Sequence, residues 1–169
     1  MLSELGIKAE LDLRNPESEN DYPVTSPLED RIHYEIITGS SYAAFWENSD
    51  RVRNQFAFLL NEENYPCFFH CLAGADRTGG LAFLLEALLG MDENEIIADY
   101  EITPHRFRNG SKEEGTDTFY DEIAFVNIFK SFPGESFAEK ARYYLKERCG
   151  FSDRELDWFI GFMTEEVSK

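Results

Sequence analysis

Basic residues are the scarce charge in this chain. It holds 16 lysines and arginines against 33 aspartates and glutamates, a formal net charge of −17. Such a field repels phosphate backbones and anionic membrane surfaces, which speaks against nucleic acid as a partner. Cysteine is scarce too. Cys67, Cys71 and Cys149 are the only three, an odd number without a C-x-x-C pair, so no disulfide framework or zinc site follows from them. The three histidines, His33, His70 and His105, show no metal-ligand spacing, and no cofactor or metal is expected. No apolar run approaches a membrane span, and Met1 to Leu5 lacks the basic region and apolar run of a signal peptide. A cytoplasmic, reducing location is the expectation.

What is present reads as one globular domain over residues 1–169, with 43% hydrophobic residues and many Phe and Tyr. Gly6 to Leu13 and Arg31 to Thr38 read as strands, and Tyr42 to Leu60 carries apolar residues at helical spacing. Pro16, Pro23 and Pro27 mark a solvated loop whose acidic residues read as surface. Thr78 to Leu89 is apolar nearly all round, a buried helix ended by Gly90. A short helix is expected over Asp92 to Tyr100, then a loop over Ile102 to Gly115 with His105, Arg106, Arg108 and Lys112. Helices follow over Asp117 to Phe132 and Glu135 to Cys149, and the last opens on the capping box Ser152-Asp153-Arg154-Glu155.

The chemistry is concentrated in His70-Cys71-Leu72-Ala73-Gly74-Ala75-Asp76-Arg77-Thr78-Gly79-Gly80, between the apolar runs Pro66 to Phe69 and Leu81 to Leu89. A strand feeds a tight turn that feeds a helix, so successive backbone N–H groups and the helix dipole make an anion cup. Cys71, at the strand's carboxyl end, is biased toward thiolate there. Arg77 offers a planar fork for two equatorial phosphate oxygens. Thr78 places a hydroxyl beside the sulfur, and Gly74 permits close backbone approach. His70 is expected to fix the loop by hydrogen bonding. Leu72, Ala73, Gly74 and Ala75 are expected to line the phosphate.

This stretch resembles the Cys-x5-Arg-Ser/Thr signature of the cysteine-dependent phosphatases. Its longer form, His-Cys-x-Ala-Gly-x-Asp-Arg-Thr-Gly, resembles the bacterial tyrosine phosphatase family, some of whose members also act on phosphoserine, phosphothreonine and phosphoinositides. Leu5 to Arg14, ending in Asp-Leu-Arg, and Ile96 to Tyr100 are similar to that family's upstream strand and downstream helix. The resemblance implies an α/β fold with a small, mainly parallel sheet flanked by helices. It implies a metal-independent phosphomonoester hydrolase acting through a phosphocysteine on a phosphorylated protein or small phosphomonoester. A phosphoinositide or inositol-phosphate phosphatase is the rival within that chemistry. A phosphate-binding module without turnover is the rival outside it.

No Trp-Pro-Asp loop lies upstream, so the general acid is open between Asp12 and Asp76, with Asp30 and Asp50 as reserves. Asp12 and Arg14 stand at a strand's carboxyl end, where α/β sheets gather ligands, although the two could equally clamp each other. Ala75 occupies a position where phosphoinositide-handling relatives often carry Lys, which with the net charge favours phosphotyrosine. Relatives begin with a further segment before the Gly6-Ile7 strand. A missing strand there would leave a sheet edge exposed, open to a homodimer.

Overall fold

The computed structural model describes residues 5–99 and 124–164. The chain divides into two compact units, residues 1–78 and 79–169. In the first, β1 (Ala9–Asp12), β2 (His33–Ile36) and β3 (Cys67–His70) form a parallel sheet in the order β2-β1-β3. These are the three expected strands, each shorter than its apolar pattern. Among the described residues β2 and β3 pair only with β1.

β1 is buried at all four positions even though Ala-Glu-Leu-Asp alternates apolar and acidic. Alternation sends Ala9 and Leu11 to one face and Glu10 and Asp12 to the other. The register sets Asp12 beside His70 on β3 and Ile36 on β2. Buried carboxylates need partners. Glu10 has Ser26 Oγ and His70 Nε2, and Asp12 has Arg14 and the Tyr34 hydroxyl. On the apolar face the His33 ring meets Phe58 at 5.5 Å, which seats α1 (Ser49–Leu59) there with Val52, Phe56 and Leu59 buried.

The helix expected from Tyr42 to Leu60 arrives in two pieces, a 3-10 turn at Tyr42–Ala44 and then α1. Asn48, the residue capping α1, spends its side-chain amide on the Ala44 carbonyl at 2.7 Å. Such local bonding competes with the helical ladder and breaks the run.

Because the strands are parallel, their carboxyl ends open on one side. The ladder continues past them: Leu13 N–H donates to His70 O, Ile37 N–H to Asp12 O and Gly39 N–H to Leu13 O. Three connecting segments thereby leave the sheet together beside Cys71.

α2 (Asp76–Leu88) begins in the first unit and continues in the second. It starts two residues before the expected Thr78, so Asp76, Arg77 and Thr78 are its first turn. The described part of the second unit is helical: α3 (residues 93–99), α4 (Ala124–Lys130), α5 (Phe137–Glu147) and α6 (Asp153–Thr164). Its core is aromatic. Phe83 meets Phe125 and Phe129 at 5.1 Å, and Phe129 meets Phe137 at 5.1 Å. The expected Ser152–Glu155 box closes with both bonds, and Ser136–Glu139 makes a second. The basic loop expected over 102–115, and the start of the helix expected from Asp117, lie outside the described residues. No described helix is long and apolar enough to cross a membrane.

Candidate active site

Every part of the site described below belongs to the first unit. Cys71 follows β3 directly and retains 7% of its surface, so the sulfur forms the floor of the loop. Burial alone pushes its thiol up. The Thr78 hydroxyl and the backbone N–H groups of Thr78, Ala73 and Gly74 outweigh burial and hold it below its ordinary value. Gly74 makes this convergence feasible by adopting φ +72°, where a side chain would be strained. Thr78 Oγ1 is buried and completes no fully formed hydrogen bond, while still acting on the sulfur. Cys67, four residues earlier on β3, shows the contrast. Burial raises its thiol, and no such array of donors offsets it.

Arg77 has a partner that the sequence did not expose. Asp21, from the proline-rich loop, takes the far end of the guanidinium with both oxygens: Nη2 to Oδ1 at 2.8 Å and Nη1 to Oδ2 at 2.5 Å. The Leu13 carbonyl accepts from Nη1 at 3.4 Å. Of five N–H groups, the two on the Nε/Nη2 edge keep no partner among the described residues, a two-pronged fork of the shape that binds two equatorial oxygens. The pair raises the Arg77 pKa and lowers that of Asp21. Asp21 is 5% exposed, which corrects the reading of that loop's acids as surface for this residue, while Glu17 and Glu19 are exposed as expected. Its backbone is folded inward by Asp21 N–H donating to Ser18 O, and its carboxylate also accepts from Asn15 N–H at 2.8 Å.

Gly39 accommodates the Arg77 stem. A Cβ at position 39 would stand 2.8 Å from Arg77 Cβ and 3.2 Å from Leu13 Cβ. Tyr42, read from sequence only as a helix start, braces the loop twice. Its N–H donates to Asp76 Oδ1 at 2.6 Å and its hydroxyl to the Ala75 carbonyl at 2.7 Å.

Asp12 and Arg14 adopt the clamp arrangement. Arg14 reaches Asp12 through its backbone N–H at 2.9 Å and through Nε and Nη2. Its remaining bonds run to Pro23 O at 3.1 Å and Thr25 O at 2.9 Å. Burial raises the Asp12 carboxyl, but the bonds from Arg14 and Tyr34 outweigh it and hold the pKa below its ordinary value. His70 donates through Nδ1 to the Cys71 carbonyl at 3.0 Å, since a carbonyl only accepts, and meets Glu10 Oε1 through Nε2 at 2.9 Å. Glu10, Asp12 and His70 bring ligand-type atoms within 4.8 Å of one another. All three are committed to the hydrogen bonds just given. Leu72 is 59% exposed, standing outward from the loop beside Cys71.

The loop thus combines a buried, acidified thiol beneath backbone amides with an arginine whose Nε/Nη2 edge is open among the described residues. A family model described as "Tyrosine phosphatase family" matches residues 1–160, and the chain belongs to that family. It is 28% identical over 155 residues to a tyrosine-protein phosphatase of Nostoc commune, covering 79% of this chain and 51% of that protein. The chain thus spans about half the length of that relative. The core catalytic domain of the PP-IP phosphatase SIW14 from S. cerevisiae, solved with citrate, superposes with a TM-score of 0.52 at 17% identity. The match covers 93% of this chain and 79% of that one. That likeness concerns the fold, a small parallel sheet flanked by helices.

Proposed function

We propose that the chain is a phosphomonoester hydrolase of the protein tyrosine phosphatase type. The observation that carries this reading is the cup itself. Cys71 is acidified by Thr78, Ala73 and Gly74 donors, opposite an Arg77 whose end is held by Asp21 and whose side fork is open. A phosphate seated there gives two oxygens to Arg77 and others to loop amides, which presents phosphorus to the sulfur. Attack forms the S–P bond and breaks the bond to the leaving oxygen. Water then hydrolyses the phosphocysteine and releases inorganic phosphate.

The leaving oxygen needs a proton, and Asp76 is the better donor. Asp12 is fully buried and held ionised by Arg14 and Tyr34, the wrong state for an acid. Asp76 engages Tyr42 N–H through Oδ1, and Oδ2 has no partner among the described residues. Asp12, Arg14 and His70 then act as the frame under the loop.

Substrates with one phosphate suit the site better than polyphosphorylated ones. Ala75 supplies no second cation, and Arg14 is occupied by Asp12 and two carbonyls. A phosphoprotein is the preferred substrate class, with phosphotyrosine ahead of phosphoserine, and the charge of −17 disfavours nucleic acid. The family match across both units supports one phosphatase domain, and a reducing cytoplasm suits its thiolate. Among the described residues β2 and β3 are the sheet's edges, which would admit a homodimer that light scattering would detect. The deciding assay is hydrolysis of an aryl phosphate by the wild type and by Cys71→Ser. Turnover by the first alone supports the reading, and equal rates refute it.

A further inference from the structure

Two hydrogen bonds from one residue bracket a single peptide of the signature loop. The Tyr42 hydroxyl donates to the Ala75 carbonyl at 2.7 Å, and the Tyr42 N–H donates to Asp76 Oδ1 at 2.6 Å. The groups on either side of the 75–76 peptide are thus both held from the segment that follows β2. Tyr42 is buried and opens the 3-10 turn Tyr42–Ala44, which fixes its ring and its backbone alike. In a trans peptide the C=O and N–H point in opposite directions. An Ala75 carbonyl drawn toward Tyr42 therefore sends the Asp76 N–H the other way. That N–H is the first of α2, a position with no acceptor inside the helix, and no described residue accepts from it. Its loop neighbours Ala73, Gly74 and Thr78 turn their N–H groups on Cys71. The Cys71 carbonyl is likewise taken by a side chain, His70 Nδ1 at 3.0 Å.

We propose that Tyr42 is a positioning residue whose hydroxyl sets the 75–76 peptide so that the Asp76 N–H serves as a further oxyanion donor for a phosphate held over Cys71. The inference rests on the phosphomonoester reading of that cup. A loop peptide can turn over unless something holds its carbonyl. Turned over, it presents a carbonyl oxygen where an N–H should meet an anionic oxygen, and attraction becomes repulsion. Tyr42 acts from outside the loop and touches neither sulfur nor phosphate, so its effect passes entirely through the orientation of that one peptide.

The test uses the full chain with Cys71 in place and inorganic phosphate as the probe, which binds without being consumed. Tyr42→Phe removes the hydroxyl and keeps the ring and the backbone N–H. Tyr65→Phe is the matched control, since it deletes a hydroxyl that donates to another main-chain carbonyl, Leu59 O at 2.8 Å, away from the loop. Urea denaturation should show a similar loss of stability in both. Titration calorimetry should show phosphate affinity lowered about tenfold in Tyr42→Phe, the size of one hydrogen bond to a charged group, and unchanged in Tyr65→Phe. Unchanged affinity in Tyr42→Phe overturns the proposal, as does an equal loss in Tyr65→Phe. A measurement on the unsubstituted chain asks the same question without relying on a variant: on addition of phosphate the Asp76 amide proton should move downfield in NMR spectra, and a stationary signal overturns the assignment. Aryl phosphate turnover by the unsubstituted chain is scored separately. An inert chain that still shows the tenfold difference sinks hydrolysis and leaves the role of Tyr42 standing. Turnover with no such difference does the reverse, and a chain that binds no phosphate overturns both.

Discussion

Asp21 grips Arg77 end-on, and the grip fixes the guanidinium plane while leaving its Nε/Nη2 edge without a partner among the described residues. A guanidinium on a flexible stem would otherwise sample many orientations, of which few present two N–H groups to one phosphate. Asp21→Asn substitutes a donor amide for one of the two acceptor oxygens and should release the fork. Activity on an aryl phosphate should fall roughly 10- to 100-fold, as for a small misplacement of a positioning group. The affinity of Cys71→Ser for phosphate should fall with it. Arg77→Lys should cost more, since charge without the planar fork is a poor substitute. Normal phosphate affinity in Asp21→Asn would remove Asp21 from this role.

The two cysteines of the first unit should separate cleanly by reactivity. Cys71 lies below its ordinary pKa and Cys67 above it, so iodoacetate at mildly acidic pH should label Cys71 and spare Cys67. Phosphate should slow that labelling by occupying the cup. Peptide mapping that finds Cys67 labelled first, or no phosphate protection, contradicts the geometry.

Asp12 and Asp76 should fail in different ways. Asp12→Ala leaves Arg14 half-buried without its partner, and the expected loss is about 3–5 kcal/mol of stability, read by urea denaturation. Asp76→Asn should barely alter stability. It should slow phosphotyrosine far more than an ester with a good leaving group, and flatten the alkaline limb of the pH profile. The reverse pattern would move the proton donor to Asp12. Asp12 and Asp21 both titrate below their usual 3.8 in the folded chain. The stability they lend is complete above that pH and is lost as pH falls through their lower folded values.

Glu86 in the second unit predicts a slope of the opposite sign. Burial and the neighbouring Asp99 raise its carboxyl from 4.5 to about 7. A group that holds its proton more tightly when folded contributes fully below the unfolded value and loses that contribution as pH rises through the folded one. Thermal stability should therefore decline between about pH 4.5 and 7. Glu86→Gln, which stays neutral, should flatten that decline. An identical slope in the variant would show that Glu86 and Asp99 do not share this coupling.

The signature loop was legible because it is local. Cys71, Thr78 and the intervening amides lie within eight residues, so order in sequence nearly determines order in space. The strands were legible from short apolar runs, as was the Ser152–Glu155 cap from its spacing. Asp21 was not, because its loop has the composition of a solvated segment, and only the fold returns it to Arg77, 56 positions away. Tyr42 and Gly39 were hidden likewise. Their roles depend on two connections leaving the sheet side by side, which no spacing in the chain records. Asp12 was named as a candidate, yet its state is set by Arg14 and Tyr34 together, and Tyr34 comes from the neighbouring strand.

β1 lies between its partners, and both pairings are distant in the chain: Ala9 meets His33 on one side and Cys67 on the other. Neither can be made until a long connection has closed, which places sheet assembly late among folding events. The donors that acidify Cys71 converge only after β3 has docked and α2 has formed. A nascent or unfolded chain accordingly carries three ordinary thiols. Its reactive sulfur comes into being with the native state, so oxidants and alkylating agents meet a sensitive cysteine only in molecules that have finished folding.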